Sequence, residues 1–435
     1  MNLFEELNIL KVYLKNLGKS IYHNTRLDVF LFIAVVLLLS YSVIINIIYR
    51  QSLFGTIRSR QTELLLSGRS MELFGKDLTE NLLRDFAAAF PELRVTVLSA
   101  SGEKDKQPDI FIFDDSEFNS LLSSGALLPL ESFYGFETRR LPQALPLVSF
   151  MDLLFYNIEL LTAAGFDRPP RTRADFLLYA RTVSSGNNAA LINASGMAMG
   201  LSLNDNQAVS RDIFSWIWAS GNDFWSDGNN PVINTRAIIQ DITFLGNLYR
   251  ENILAPGSFD ITGEQLLDEF ARGRIAMMIA SSREIPALRE RMGDSAFGIT
   301  TIPNSGLGGR YSIGISNIYA GINANSARPD AAWAFISFLE GKIPVLCEAL
   351  KAVPGDVTDL FFGDYVFNDP FYSKARDIFE ASRIVHGFSG KPDGEKYETA
   401  VREEMQIFFQ TGRTAQETAN IIQRRWNDIS AGRFD

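Results

Sequence analysis

The longest apolar stretch of the chain runs from Val29 to Tyr49 without a charge, bounded by Asp28 and Arg50. It has no polar stripe, which separates it from an amphipathic core helix. At about 1.5 Å per residue, roughly twenty residues cross a hydrocarbon core of about 30 Å, so the run predicts one transmembrane helix. It is longer than the apolar part of a usual secretory signal, no small-x-small site follows it and no cysteine lies at its end. The expectation is an uncleaved anchor, residues 29–49, in contact with membrane lipid and preceded by a short segment, residues 1–28. Basic residues flank both ends (Lys15, Lys19 and Arg26 before; Arg50, Arg58 and Arg60 after), so charge leaves the orientation open.

After a polar tether, residues 51–60, the pattern shortens. Leu64 to Leu66 is strand-like, and Met71, Phe74, Leu78, Leu82, Phe86 and Phe90 recur at helical spacing until Pro91. Leu93 to Leu98 alternates as a strand, and Ile110 to Phe113 is an apolar strand closed by Asp114 and Asp115. Strand, helix, strand, loop, strand predicts an α/β layer on a largely parallel sheet. A second layer starts near Val148: Ser149 to Tyr156 is apolar apart from Ser149 and Asp152, and Asn157 to Gly165 is a short helix stopped by its glycine. Thr172-x-x-Asp175 and Thr262-x-x-Gln265 are capping boxes that open further helices. Ile275 to Ala280 is a strand. The last third is helical over Ala331–Leu339 and Ala415–Ile429, with Ile421, Ile422 and Trp426 expected to face inward.

A length of 435 residues exceeds one average domain and suffices for two full cores. The net charge of −10 argues against nucleic acid, whose phosphates need a basic surface. The single cysteine, Cys347, excludes an intramolecular disulfide and reads as a small buried hydrophobe. Of two histidines, His23 and His386, only the second follows the apolar run, which removes most imidazole-based metal centres. Neither metal nor cofactor is expected. There is no Gly-x-Ser-x-Gly elbow and no zincin motif, and Gly306 to Arg310 lacks the Lys-Ser/Thr pair of a phosphate loop. Paired carboxylates can cleave glycosides, but with 51 acidic residues their presence says little. The expectation is a binding protein, not an enzyme.

Five local strings, in order, carry a family resemblance. They are Asp109 to Asp114 followed by Gly125-Ala-Leu-Leu-Pro129; Phe155-Tyr-Asn157 followed by Leu160, Ala164, Gly165 and Phe166; and Pro169, Pro170, Thr172, Asp175 and Phe176. The last two are Phe270 to Met278, and Pro303 with Ala320-Gly-Ile322 and Pro329-Asp-Ala-Ala-Trp333. Together they resemble the bacterial extracellular solute-binding protein family 1, the sugar receptors of ABC importers that include the maltose-binding proteins. The resemblance implies a periplasmic-binding-protein-like fold of two α/β lobes with a hinge and a central cleft. Lobe one would be residues 55–150 plus 315–365, and lobe two residues 151–314 plus 366–435. It also implies capture of a mono- or oligosaccharide by lobe closure, delivery to ABC permease subunits, an extracytoplasmic location of the large C-terminal domain, and a short cytoplasmic N-terminus, residues 1–28. An anchored sensing or assembly module is the alternative.

A sugar site needs rings for the faces of the ligand and fixed donors or acceptors for its hydroxyl edge. Ser67, Arg69 and Glu72 after the first strand, and Asp114 and Asp115 after the third, are edge candidates at strand ends. Asp114 and Asp115 could equally cap the following helix. Phe214, Trp218 and Trp225 are stacking candidates beside Trp216, with core packing as the other reading. Phe150 and Asp152 lie at the first lobe crossing, as hinge or cleft. Ser281 and Ser282 follow a strand, and Ser316 and Asn317 lie near another crossing.

Overall fold

Apolar runs that are apolar on both faces become strands buried on both faces. Among the described residues there are ten strands: β1 (Thr62–Leu66), β2 (Leu93–Val97), β3 (Ile110–Asp114), β4 (Leu145–Asn157), β5 (Ser195–Met197), β6 (Ile275–Ser281), β7 (Phe297–Thr300), β8 (Ser312–Ile322), β9 (Val353–Pro354) and β10 (Arg383–Val385). They belong to a computed structural model that describes residues 61–98, 106–134, 141–186, 189–226, 230–305, 311–355, 364–391 and 393–433. The expected membrane span 29–49, the tether 51–60 and the turn 306–310 lie outside the described residues. Among the described residues, no helix is long and apolar enough to cross a membrane.

The main path of the sheet runs β2-β1-β3-β8-β4-β6-β5, with β7 and β9 pairing β4 and β10 pairing β8. Pairing is parallel for β1–β2, β1–β3 and β5–β6. It is antiparallel for β3–β8, β4–β8 and β4–β6. The expected largely parallel sheet is therefore mixed: β8 runs against β3 and β4, and β4 against β6, β7 and β9, while β10 lies parallel to β8.

β4 and β8 serve two separate cores. Leu147, Val148 and Phe150 of β4, with Ile318, Ala320 and Ile322 of β8, pack with Leu64, Leu66, Phe86, Ile110 and the helix Pro329–Glu340. Further along β4, Leu153 and Phe155 join Met278, Ala280 and Phe297, while Leu154 on the opposite face joins Met277, Ile279, Phe176 and Trp216. A strand of 13 residues extends roughly 40 Å at about 3.3 Å per residue, long enough to leave one core and enter the next. The result is two α/β lobes joined by shared strands.

Local signals account for most helix starts. Thr172 and Asp175 exchange hydrogen bonds at 3.1 and 3.2 Å, and Thr262 and Gln265 form the second capping box. The helix expected from Met71 to Phe90 is instead two, Arg69–Leu73 and Lys76–Ala89, because Gly75 between them takes φ +81° and breaks the ladder. Ile422 and Trp426 are buried as expected, but Ile421 is only half-buried, on the rim of the helical face. Cys347 is fully buried, and burial pushes its thiol up to about 12.

Candidate functional site

Where β4 and β8 pass between the lobes, Ser149 faces Asn317, Phe150 faces Ser316 and Met151 faces Ile315. Ser149 Oγ donates to Asn317 Oδ1 at 2.5 Å and Asn317 Nδ2 donates to Tyr319 Oη at 2.9 Å, pinning this crossing. The crossing floors a cavity of about 400 Å³.

Five further groups wall it. Asp114, Asp115 and Ser116 stand at the end of β3, where the helix Asp115–Ser123 begins. Ser281, Arg283 and Glu284 stand at the end of β6, opposite Asp152 in the β4 register. The helix Asn206–Ala219 presents Gln207, Ser210, Arg211, Phe214 and Trp218, which share one face at helical spacing, and the helix Gly394–Gln410 presents Glu395, Glu398 and Arg402 in the same way. His386 to Ser389 closes the remaining side.

The wall is dense in buried charge. Asp115 accepts hydrogen bonds from Asn317 N at 2.6 Å, Tyr319 Oη at 2.8 Å and Ser389 Oγ. Burial still pushes its carboxyl up to about 6, against those three donors. Glu398 is raised to about 7 by burial and held down chiefly by Arg402, whose Nη1 lies 3.1 Å away. Arg402 also donates to Glu395 at 2.5 Å and Ser210 at 3.2 Å. Behind Arg211, Asp212 accepts from Arg211 Nε at 3.1 Å and Gly200 N at 2.6 Å, and burial raises it to about 6.

Asp152 differs. It is 8% exposed, and burial raises it to about 7, opposed first by the charge of Arg211. Yet its carboxylate forms no ion pair among the described residues, and the neighbouring Ser215 hydroxyl has no well-formed hydrogen bond.

Of the residues singled out from sequence, Asp114, Asp115, Phe150, Asp152, Phe214, Trp218, Ser281, Ser316 and Asn317 line this cavity. Asp114 also caps its helix, accepting from Ser116 N at 3.0 Å. The others sit elsewhere. Ser67 Oγ bridges β1 to Ile112 N at 3.0 Å. Arg69 binds Glu117 at 3.0 Å, Glu72 at 2.5 Å and Asp114 at 3.2 Å, behind the rim. Ser282 Oγ accepts from Met151 N at 3.0 Å inside the sheet, and Trp225 Nε1 donates to the Gly387 carbonyl at 3.1 Å. The ring faces are largely consumed by packing: Phe214, Trp218 and Phe224 stack edge-to-face among themselves. Sequence reading passed over Gln207, Ser210, Arg211, Glu395, Glu398 and Arg402. The available clue was polar residues spaced every three or four positions along helices otherwise buried.

The profile of the bacterial extracellular solute-binding protein family matches residues 88–342. The chain belongs to this family. Among relatives of this solute-binding protein, a binding protein of Brucella abortus (strain 2308) is 21% identical over 221 residues, 48% of this chain and 51% of its own length. The chain thus spans about half the length of the curated relatives it matches. Three solved structures share the fold. The GacH receptor of Streptomyces glaucescens, solved unliganded and with acarbose, has TM-score 0.64 and 17% identity, over 85% of this chain and 99% of that one. Maltose-bound MalE3 of T. maritima has TM-score 0.66 and 16% identity over 85% and 100%. UgpB of Mycobacterium tuberculosis in complex with glycerophosphocholine has TM-score 0.66 and 18% identity over 86% and 99%.

Proposed function

We propose that this protein is a membrane-anchored extracytoplasmic receptor that captures a small polyhydroxylated solute, a carbohydrate of one or two rings, and delivers it to an ABC importer permease without chemical change. The observation that carries the reading is the polar cavity at the crossing of β4 and β8. Its volume of about 400 Å³ is at the small end of ligand pockets, which span roughly 300–1,000 Å³. Its wall is rich in hydrogen-bonding groups and poor in free ring faces, which suits the edge of a short sugar better than the face of a long oligosaccharide. Ligands named for structural neighbours, acarbose, maltose and glycerophosphocholine, are all small and polar.

The lobes are assigned as residues 55–150 plus 315–365 and residues 151–314 plus 366–435; the cluster of Leu64, Phe86, Val148 and Ile318 supports the first, while Ile315 and Val353 pack with residues of the second. Ligand favours the closed form by touching both lobes. The uncharged run Val29–Tyr49 supports a single-pass anchor, which raises the effective concentration of receptor at a permease. The same anchor would also suit a receptor that reports occupancy to a membrane partner; genes for a permease and an ATPase beside this one distinguish import from sensing.

A thermal-shift screen of the detergent-solubilised full-length chain against mono- and disaccharides, polyols and glycerophosphodiesters tests the reading. A melting temperature that rises with sugar concentration is expected, because ligand that binds only the folded state stabilises it. No rise with any sugar would sink the carbohydrate assignment.

A further inference from the structure

Six carboxylates line the cavity, Asp114, Asp115, Asp152, Glu284, Glu395 and Glu398, against three guanidiniums, Arg211, Arg283 and Arg402. The guanidiniums are already engaged. Arg402 is held by Glu395 and Glu398, Arg211 by Asp212, and Arg283 donates to the Leu73 carbonyl at 3.2 Å. Four of the six carboxylates are engaged as well: Asp114 by Arg69, Asp115 by three donors, and the two glutamates by Arg402.

Asp152 and Glu284 are left over. Neither makes an ion pair among the described residues, and Glu284 makes no side-chain hydrogen bond to them either. Asp152 is more than nine-tenths buried, and both belong to the same wall, since Asp152 faces Ser281 across the β4–β6 ladder three residues before Glu284. Burying a carboxylate without a partner is costly. Arg211 attracts both but also balances Asp212, and Arg283 and Arg291 attract Glu284 without a direct ion pair. Burial outweighs that attraction at both groups, so the cavity carries two carboxylates whose charge the protein balances only in part.

A metal ion would also neutralise them. However, no three acidic, imidazole or thiol groups converge as metal ligands among the described residues. An organic ammonium, which needs one or two carboxylates and no fixed coordination geometry, fits the donor set. We propose that the solute carries a protonated amine, as in an amino sugar, and that Asp152 and Glu284 receive it while the remaining wall binds hydroxyls. This rests on the carbohydrate reading above and narrows it.

The test is isothermal titration calorimetry of the full-length chain near neutral pH with matched pairs: glucosamine and glucose, galactosamine and galactose, mannosamine and mannose. In a pair that binds, the amine is expected to bind about tenfold tighter than the hydroxyl compound, the gain from a charge-assisted bond over a neutral one. In Asp152→Asn and in Glu284→Gln that ratio is expected to fall towards one; two variants are used so that a folding defect in either leaves the other informative. Equal or weaker binding of the amine would overturn the inference and leave the carbohydrate reading standing. Binding by no member of any pair would overturn both. A calcium chloride titration that shows binding while the amines show none would overturn the inference in favour of a metal, and an amine preference unchanged in both variants would overturn the assignment to Asp152 and Glu284.

Discussion

Arg283 reaches from the lobe built on β6 to the main-chain carbonyl of Leu73 in the other lobe, at 3.2 Å, while its guanidinium lies 5.3 Å from the centre of the Phe150 ring. One side chain that lines the cavity thus ties the two lobes together.

Arg283→Gln removes that tie. A net hydrogen bond contributes about 1 kcal/mol, so the ratio of closed to open forms should fall about fivefold. Spin labels on Glu80→Cys and Glu264→Cys, both exposed and in different lobes, report the separation by double electron–electron resonance; Cys347 is buried and should remain unlabelled. A distance distribution identical in wild type and variant would remove Arg283 from any role in closure.

The buried carboxylates set a pH dependence. Burial raises Asp115 and Asp212 from 3.8 to about 6, Asp152 from 3.8 to about 7 and Glu398 from 4.5 to about 7. The folded chain thus holds these protons more tightly than the unfolded chain. Their contribution to stability is fully present below about pH 4 and is lost as pH rises through about 7. The melting temperature should therefore be higher at pH 6 than at pH 8. Asp152→Asn keeps the shape and removes the most costly charge, so it should raise stability at pH 8 by on the order of 2–4 kcal/mol, at roughly 1.4 kcal/mol per pKa unit. A destabilised variant at pH 8 would show that Asp152 has a partner in the unliganded protein.

Gly314 lies in β8 where any side chain collides. A Cβ there would stand 2.5 Å from the Trp218 ring and 2.7 Å from Asp152 Oδ2. Gly314→Ala should cost about 1–3 kcal/mol through overpacking, read as a lower urea midpoint with unchanged slope. An unchanged midpoint would mean that Trp218 is loosely seated.

What sequence could and could not reveal follows from the range of each interaction. The capping boxes at Thr172 and Thr262 were legible because both partners lie within one turn. Asp152 stood out because a charge interrupts an otherwise apolar strand. The break at Gly75 was hidden because Phe74 and Leu78 keep helical spacing across it. Ser67 and Ser282 resemble site hydroxyls by position, yet each is spent on the backbone of its own sheet. Ser210 and Glu398 meet, at 3.0 Å, only because two helices nearly 190 positions apart fold onto the same wall, and no local pattern records that. The mixed sheet was missed for a similar reason: the direction of β8 depends on which strand it joins after about 155 intervening residues.

Because β4 and β8 are continuous hydrogen-bonded strands where they leave one core for the other, these two passages leave no slack loop to absorb movement. Any rocking of the halves must be taken up as torsion along two adjacent ribbons whose rungs sit directly beneath the bound solute. The swing should accordingly be modest and springy, returning to rest as soon as the guest departs.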